Sequence, residues 1–459
     1  MARGLSPESK RRRWQKLICA ERPGAGAAHG RALAPERTAF QQDYDRIVFT
    51  SAFRRLKDKT QVFPLSRSDY VRTRLTHSLE ASCVGRSLGA IVGREIIARH
   101  QLRAVDAADF GAIVAAACLA HDIGNPPFGH AGEDAIREWF RASGLLERYA
   151  LTPAQCADFA RYEGNAQGFR ILTRLQNPAN PGLQLTAAVL AAFTKYPRAS
   201  WLKGRTLSGA SAKKHGFFQH DAAAFVQVAA ATGLPERLSG LAWHRHPLAY
   251  LVEVADDTCY LIVDLEDAAR LGFVRAEDAQ ELLAALAGES VNEGKLQRLF
   301  EPKERIEYLR AKAIGRLLEV AAEVFLDNET AILGGGFEGD LLSVAPLSAP
   351  LDAVKAIAFD RIYTARPALE IETAGFEVLG GLLSLFITAI ESAVGQYPMT
   401  TRERMLLKLL PAQFLGAQGQ PDPDPYLRFL GIADFVAGMT DSYAVNLYRK
   451  LKGIDLPGE

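Results

Sequence analysis

The residues best suited to chemistry in this 459-residue chain are a histidine and an aspartate side by side. In His121-Asp122-Ile123-Gly124-Asn125-Pro126-Pro127-Phe128-Gly129-His130-Ala131-Gly132-Glu133, His121 ends an apolar periodic stretch and Asp122 follows at once. An imidazole and a carboxylate aimed into one cavity begin a metal site and suit Mn²⁺, Fe²⁺, Zn²⁺ or, with waters, Mg²⁺. Two ligands are too few, so the rest must come from another histidine and another acid on apolar helices. His77, three residues after Arg74, is one. Asp256, in Val252-Glu-Val-Ala-Asp-Asp-Thr-Cys-Tyr260, is the other, because adjacent acids in an apolar stretch are costly unless paired or metal-bound. Asp256, Tyr260 and Asp264 share i, i+4, i+8 spacing, which sets a carboxylate, a phenol and a second carboxylate along one helix stripe. Each residue alone reads better as a core histidine or a solvated acid than as a ligand; together with the loop they form a consistent His, His-Asp, Asp set.

Other patterns are decoys. Gly85-Arg86-Ser87-Leu88-Gly89 has G-x-S-x-G spacing, but a nucleophile elbow needs a strand before its serine, and this pentapeptide lies in an amphipathic helical stretch. Ser211-x-x-Lys214 lacks its partner motifs, and Gly334-Gly335-Gly336 lacks the G-K-[ST] of a phosphate loop.

The elements that must position the set are helices. Phe110, Ile113, Val114, Ala117, Cys118 and His121 form one helical face, with Asp109 as N-cap and Gly124 as terminator. Val84, Leu88, Ile91 and Val92 make a stripe within 77–99, and Pro247 opens a helix through Leu271. Ser6-Pro7-Glu8 starts a short capped helix with a basic face, followed by a Gly/Ala/Pro-rich connector over 21–36, and order resumes near Phe40 and Asp43. Further helices are expected at 133–143, 163–176, 183–195, 220–232, 277–287, 305–326, 351–359, 376–394, 401–410 and 426–451. Short strands fit 61–63 and 206–208, and 196–219 and 411–425 read as loops. The fold class is mainly α.

Composition sets bounds. With 48% hydrophobic and 23% charged residues and a mean hydropathy of −0.03, the chain reads as an ordinary globular protein. The net charge of +1 hides a split: residues 1–77 hold 17 Lys/Arg against 7 Asp/Glu, and the remainder reverses the sign. The five cysteines form no C-x-x-C pair; Cys83 and Cys118 read as small core residues, and a reducing cytoplasm fits best. The start has no apolar signal core, and Val378–Ile390 falls short of the ~20 residues of a membrane span, so no membrane contact is expected.

The pattern His77, His121-Asp122, Asp256 resembles the signature of HD-domain phosphohydrolases, and within them the deoxyguanosinetriphosphate triphosphohydrolase (dGTPase) family. The resemblance is carried by Asp45-Arg-Ile47 with Ser51-Ala-Phe-Arg-Arg-Leu56, Lys59-Thr-Gln-Val-Phe63, Arg74-Leu-Thr-His-Ser-Leu-Glu80 and the 121–133 string. It continues through Glu163-Gly-Asn-Ala-Gln-Gly-Phe-Arg170, Thr194-Lys-Tyr-Pro197, Gly216-Phe-Phe218, Ala255-Asp-Asp257 with Tyr260, and Ala437-Gly-Met-Thr-Asp441. These segments run in order over about residues 37–445.

The resemblance implies a basic arm and linker over 1–36, an HD-domain helical core over 37–275 and a C-terminal helical region over 276–459. It implies hydrolysis of dGTP or other dNTPs at the α-phosphorus to deoxynucleoside and tripolyphosphate. His77, His121, Asp122 and Asp256 look like the ligands of one divalent metal, Mg²⁺ or Mn²⁺, with Co²⁺, Fe²⁺, Ni²⁺ and Zn²⁺ open. His130 and Glu133 match the family's catalytic pair. Lys195 and Tyr196 resemble its triphosphate contacts, and Arg74 carries charge for a phosphate. Gln61 matches a group near sugar or base, and Tyr260 and Asp264 look like sugar-recognising groups. Asn165 lies in a matching segment, with ligand contact and helix packing equally open. Implied partners are the dNTP substrate, a dNTP activator, further copies of the chain in a homo-oligomer, and single-stranded DNA at the Lys10–Arg13 arm. The other histidines, at 29, 100, 215, 220, 244 and 246, read as surface or capping groups. The competing readings are an HD phosphohydrolase for another nucleotide, which the 163–170 and 194–197 segments disfavour, and a nucleic-acid-binding regulator with a relic site, which the full ligand set disfavours.

Overall fold

The computed structural model describes residues 5–24, 37–61, 72–177, 182–364, 366–395 and 398–454. His29, most of the expected connector and positions 62–63 of the expected first strand lie outside them. The chain is mainly helical, as its periodicity requires. Helix α1 (Pro7–Leu17) starts on Ser6, whose hydroxyl accepts from the Ser9 N–H, and α2 (Ala39–Val48) starts on a reciprocal Thr38–Gln41 capping box. Helices α3 (Arg74–His100) and α4 (Ala107–Ala120) pack along each other. The glycines of the G-x-S-x-G decoy permit this contact. A Cβ on Gly85 would stand 2.6 Å from Cys118 Sγ, and one on Gly89 2.8 Å from the Phe110 carbonyl oxygen. The N-cap of α4 is Asp106 rather than Asp109, which sits one turn in and closes the capping box.

Then follow α5 (Gly129–Ala142), α6 (Gly164–Arg170), α7 (Ala187–Phe193), α8 (Ala222–Thr232) and α9 (Pro247–Leu271). The C-terminal half adds α10 (Ala276–Ala287), α11 (Pro302–Asp327), α12 (Ser348–Ile357), α13 (Arg366–Val394), α14 (Thr401–Leu409), α15 (Pro425–Ala437) and α16 (Asp441–Lys452). The single helix expected over 426–451 is two, because Thr440 leaves helical geometry and caps α16. Residues 206–208 are not a strand; among the described residues the named strands are Glu236–Leu238 and Ala242–Trp243, paired antiparallel.

Two apolar cores form. One gathers α1–α4, α7–α12 and their neighbours; the other gathers α5 and α13–α16 with Phe159, Tyr162 and Phe218. Neither follows the boundary expected at 275/276. The loop after α4 passes from the first core at Ile123 to the second at Phe128. The stretch Val378–Ile390 belongs to the 29-residue α13. By length and composition its Ala368–Val394 part could cross a membrane, but half of its apolar window is buried in the protein, where it packs on α5, α14, α15 and α16.

Three expectations fail for reasons of packing. The first helix is no free arm: Trp14 is fully buried and its Nε1 donates to Glu329 Oε1 at 2.9 Å. Lys10 donates to Thr330 at 2.5 Å and Arg13 to the Leu333 carbonyl, so part of the basic face serves the fold. Cys118 is buried, but Cys83 is exposed on the far side of α3. Among the spare histidines, the surface-or-capping reading fails for His215, which is buried; His100 at the end of α3 pairs with Glu329 at 2.6 Å, and His246 does cap α9, accepting from the Leu248 N–H, though from a fully buried position.

Two predictions follow from this packing. Trp14→Ala should cost about 3–5 kcal/mol, the usual loss for a buried large aromatic, read as a lower denaturant midpoint; an unchanged midpoint would show that α1 is not part of the core. Burial holds His215 down to about 3 and His246 down to about 4, so both stay neutral in the fold while the unfolded chain takes up protons below its ordinary value. This stability is complete above about pH 6.5 and falls towards pH 4, by about 1.4 kcal/mol per pH unit for each histidine. Urea midpoints at about pH 7.5 and about pH 5 test it; equal midpoints contradict it.

Candidate active site

Three helices deliver the candidate metal-binding set. His77 lies in the first turn of α3, His121 just beyond the end of α4, and Asp256 in the middle of α9. Asp256 Oδ1 lies 3.0 Å from Nε2 of His77 and 3.3 Å from Nε2 of His121. The ligand atoms of these three residues all lie within 4.8 Å of one another. The Cys118 carbonyl lies 2.6 Å from His121 Nδ1, which fixes the ring with Nε2 facing Asp256. Asp122 stands alongside, its Oδ2 3.5 Å from His121 Nε2, held by Arg74 at 2.7 Å and by Asn125 on its other oxygen at 2.6 Å.

The electrostatics suit a cation. Burial disfavours charge on His121, yet Asp122 and Asp256 override it and push its pKa up to about 9. Burial likewise opposes charge on both acids, but Arg74 and His121 pull Asp122 down to about 2, and the two histidines hold Asp256 well below the carboxylate range. Charges that favour an imidazolium favour a divalent ion in its place. Two imidazole nitrogens and carboxylate oxygens, with one ring already oriented, therefore fit a first-row divalent metal or Mg²⁺.

The loop that follows is tightly folded. A Cβ on Gly124 would stand 2.1 Å from the Gly164 carbonyl oxygen, so this glycine permits the start of α6 to press on the loop. Phe128 and Gly129 both have left-handed backbone, φ +64° and +58°, which for a phenylalanine costs of order 1–3 kcal/mol unless surroundings hold it. The turn launches α5, on which His130 Nδ1 meets Glu133 Oε2 at 2.8 Å. The His130 side chain is 76% exposed and that of Glu133 2%. Glu133 also accepts from the Gly164 N–H at 2.6 Å. Burial would raise its pKa, but His130 and Lys214 pull it down to about 2. A buried anion thus fixes an exposed imidazole, leaving Nε2 free for proton transfer.

A cavity of about 310 Å³ joins these groups. Gln61, Arg74, Asn165, Lys195, Tyr196 and Tyr260 line it, so six of the seven expected substrate residues come together around His121, Asp122, His130 and Asp256. Gln61 Oε1 and Arg74 Nε are buried without hydrogen-bond partners. Asn165 lines the cavity while donating to Glu163 at 3.0 Å. Lys195 faces Glu253 at 3.1 Å. Asp264 is the exception: it does not line the cavity, and its carboxylate accepts from Tyr363 at 3.2 Å, whose ring stacks on Tyr260 at 5.2 Å. It stands two turns along α9 from Asp256, and a shared stripe does not ensure a shared cavity.

Asn125, Lys214, Glu253 and Asp257 also line the cavity and were not singled out from sequence. Glu253 and Asp257 sit three residues before and one after Asp256, so the spacing argument applied to Tyr260 would have reached Glu253. Lys214 lies in the discarded S-x-x-K pattern and reaches Glu163 at 3.0 Å; only folding of the 196–219 loop brings it here.

Comparison with known proteins agrees with this geometry. The HD domain family model matches residues 74–152, and the phosphohydrolase-associated domain matches 345–450. A deoxyguanosinetriphosphate triphosphohydrolase-like protein of Synechocystis sp. is 48% identical over 455 residues, covering 96% of this chain and 100% of that protein. Like-named proteins of Pseudomonas aeruginosa strain LESB58 and Listeria innocua are 40% and 37% identical, covering 97% and 96% of this chain and 99% and 100% of their own. With both domains in order and relatives matched along nearly their whole length, the chain belongs to the deoxyguanosinetriphosphate triphosphohydrolase-like family of HD-domain phosphohydrolases.

Proposed function

We propose that the protein is a metal-dependent dNTP triphosphohydrolase, converting a dNTP and water to deoxynucleoside and tripolyphosphate. The observation that carries this reading is one cavity lined by His121 and Asp256, which His77 joins from behind, by His130, which Glu133 holds, and by the cations Arg74, Lys195 and Lys214. Three cations beside a metal centre match a polyanion such as a triphosphate. The names of the relatives point to the same substrate class.

His77, His121 and Asp256, with Asp122 beside them, would hold a divalent ion, which would lower the pKa of water and neutralise phosphoryl charge. Arg74, Lys195 and Lys214 hold the phosphate chain so that the α-phosphorus faces the centre. Water attacks that phosphorus and the bond to O5′ breaks, its electron pair leaving on the oxygen. His130 Nε2 gives O5′ its proton and takes back the one that the attacking water releases, and Glu133, already ionised against Nδ1, stabilises the imidazole's orientation throughout. Tyr260, backed by Tyr363, offers an apolar face to the deoxyribose, and Asp264 acts from behind through the Tyr363 hydroxyl.

Phosphorus NMR of reactions with each dNTP, singly and mixed, in Mg²⁺, Mn²⁺ and Co²⁺ should show tripolyphosphate. Orthophosphate or pyrophosphate as the only product, or no turnover in any mixture, contradicts the reading. His130→Ala should lower kcat by about 10²–10⁴-fold with metal affinity unchanged; activity near wild type would exclude the proton-transfer role. Asp256→Asn should abolish Mn²⁺ binding in calorimetry, and tight binding that persists would break the ligand assignment.

A further inference from the structure

Two of the segments that carry the family resemblance, Lys59-Thr60-Gln61 and Ala437–Asp441, take no part in the reaction above, although Gln61 lines the cavity. They meet at the catalytic loop. Asp441, the first residue of α16, is 1% exposed. Its Oδ1 accepts from the backbone N–H of Phe128 at 3.1 Å; its Oδ2 accepts from the backbone N–H and the hydroxyl of Thr60 at 3.0 and 2.6 Å. Lys59, also buried, donates to the Asn125 carbonyl and, at 3.1 Å, to the Ala437 carbonyl at the end of α15. The break between α15 and α16 therefore grips the loop at Asn125 and at Phe128, and grips the strap that carries Gln61 into the cavity.

The chemistry of the loop makes this grip specific. Pro126 and Pro127 have no N–H, so the N–H of Phe128 is the first backbone donor after Asn125. Phe128 is also the non-glycine residue of this loop held left-handed, and it sits directly before Gly129 and His130. Three donors converge on Asp441, and an ionised carboxylate, which only accepts, satisfies all of them. An asparagine would offer one acceptor oxygen and turn its own N–H₂ toward one of the two sides. The N-terminus of α16 favours the negative charge.

We propose that Asp441, with Lys59, is a positioning residue: the C-terminal helices set the His130–Glu133 pair and the Gln61 strap in register without touching substrate. The kinetic part of this inference rests on the proposed triphosphohydrolase reading; the structural part does not. Hydrogen–deuterium exchange on the full chain tests the structural part. In Asp441→Asn, peptides over 125–133 should exchange faster while those of α9 match wild type. Lys59→Met should give the same pattern and stands in if the first variant does not fold. On dNTP substrates both variants should lose kcat, up to about 10²-fold for a misplaced catalytic group, with Mn²⁺ affinity unchanged and kcat changing more than KM. Unchanged exchange over 125–133 in a folded variant, or a loosened loop with wild-type kcat, overturns the proposal. If wild type turns over no dNTP, the substrate reading fails, and exchange alone still decides whether the grip exists.

Discussion

The constraint on which the structure depends is the burial of an acidic helix. Helix α9 carries Glu253, Asp256, Asp257, Asp264, Glu266 and Asp267, all but Asp256 and Asp257 buried by exposure. Buried carboxylates are tolerated only when each is paired, hydrogen-bonded or protonated. Lys195 and Arg245 meet Glu253 at 3.1 and 2.7 Å, and two imidazoles meet Asp256. Tyr363 meets Asp264; Arg72 meets Glu266 and Asp267, and Arg310 meets Glu266. Burial, with Asp256 and Glu253 close by, pushes Asp257 up to about 7 despite Lys195. The partners come from distant parts of the chain, so compensating one helix draws Lys195 and the histidines His77 and His121 to the same place.

The charge split along the sequence has the same origin. Arg72 and Arg74, from the basic first 77 residues, lie against acids of the later chain and of the metal-binding loop. Lys10 and Arg13 of the first helix satisfy polar groups on the segment 329–334. A net charge near zero therefore conceals a fold that sets part of its basic front, Arg72 and Arg74, against acids of the later chain.

How much of this was legible in the sequence depends on the range of each interaction. The gathering of His77, His121 and Asp256 was legible only in combination: each alone passes for a core histidine or a solvated acid, but ionisable groups on several apolar stretches are costly unless they compensate one another. The 247–271 helix was readable to the residue because Pro247 and Gly272 punctuate it. The displacement of Asp264 from the cavity was not readable, because Tyr363, nearly a hundred residues away, decides it. Trp14 was hidden among basic residues, and its core role depends on Glu329 and on Phe110 and Phe325 across the fold. The split at 438–440 turns on a single capping threonine inside an otherwise continuous apolar pattern.

The central claim is that water attacks the α-phosphorus of a dNTP held beside the His77–His121–Asp256 centre. Turnover in ¹⁸O-labelled water, followed by mass spectrometry of both products, tests it most directly. The account predicts one labelled oxygen in tripolyphosphate and none in the deoxynucleoside, because the P–O5′ bond breaks. Label in the deoxynucleoside, or label in released orthophosphate or pyrophosphate, would contradict it.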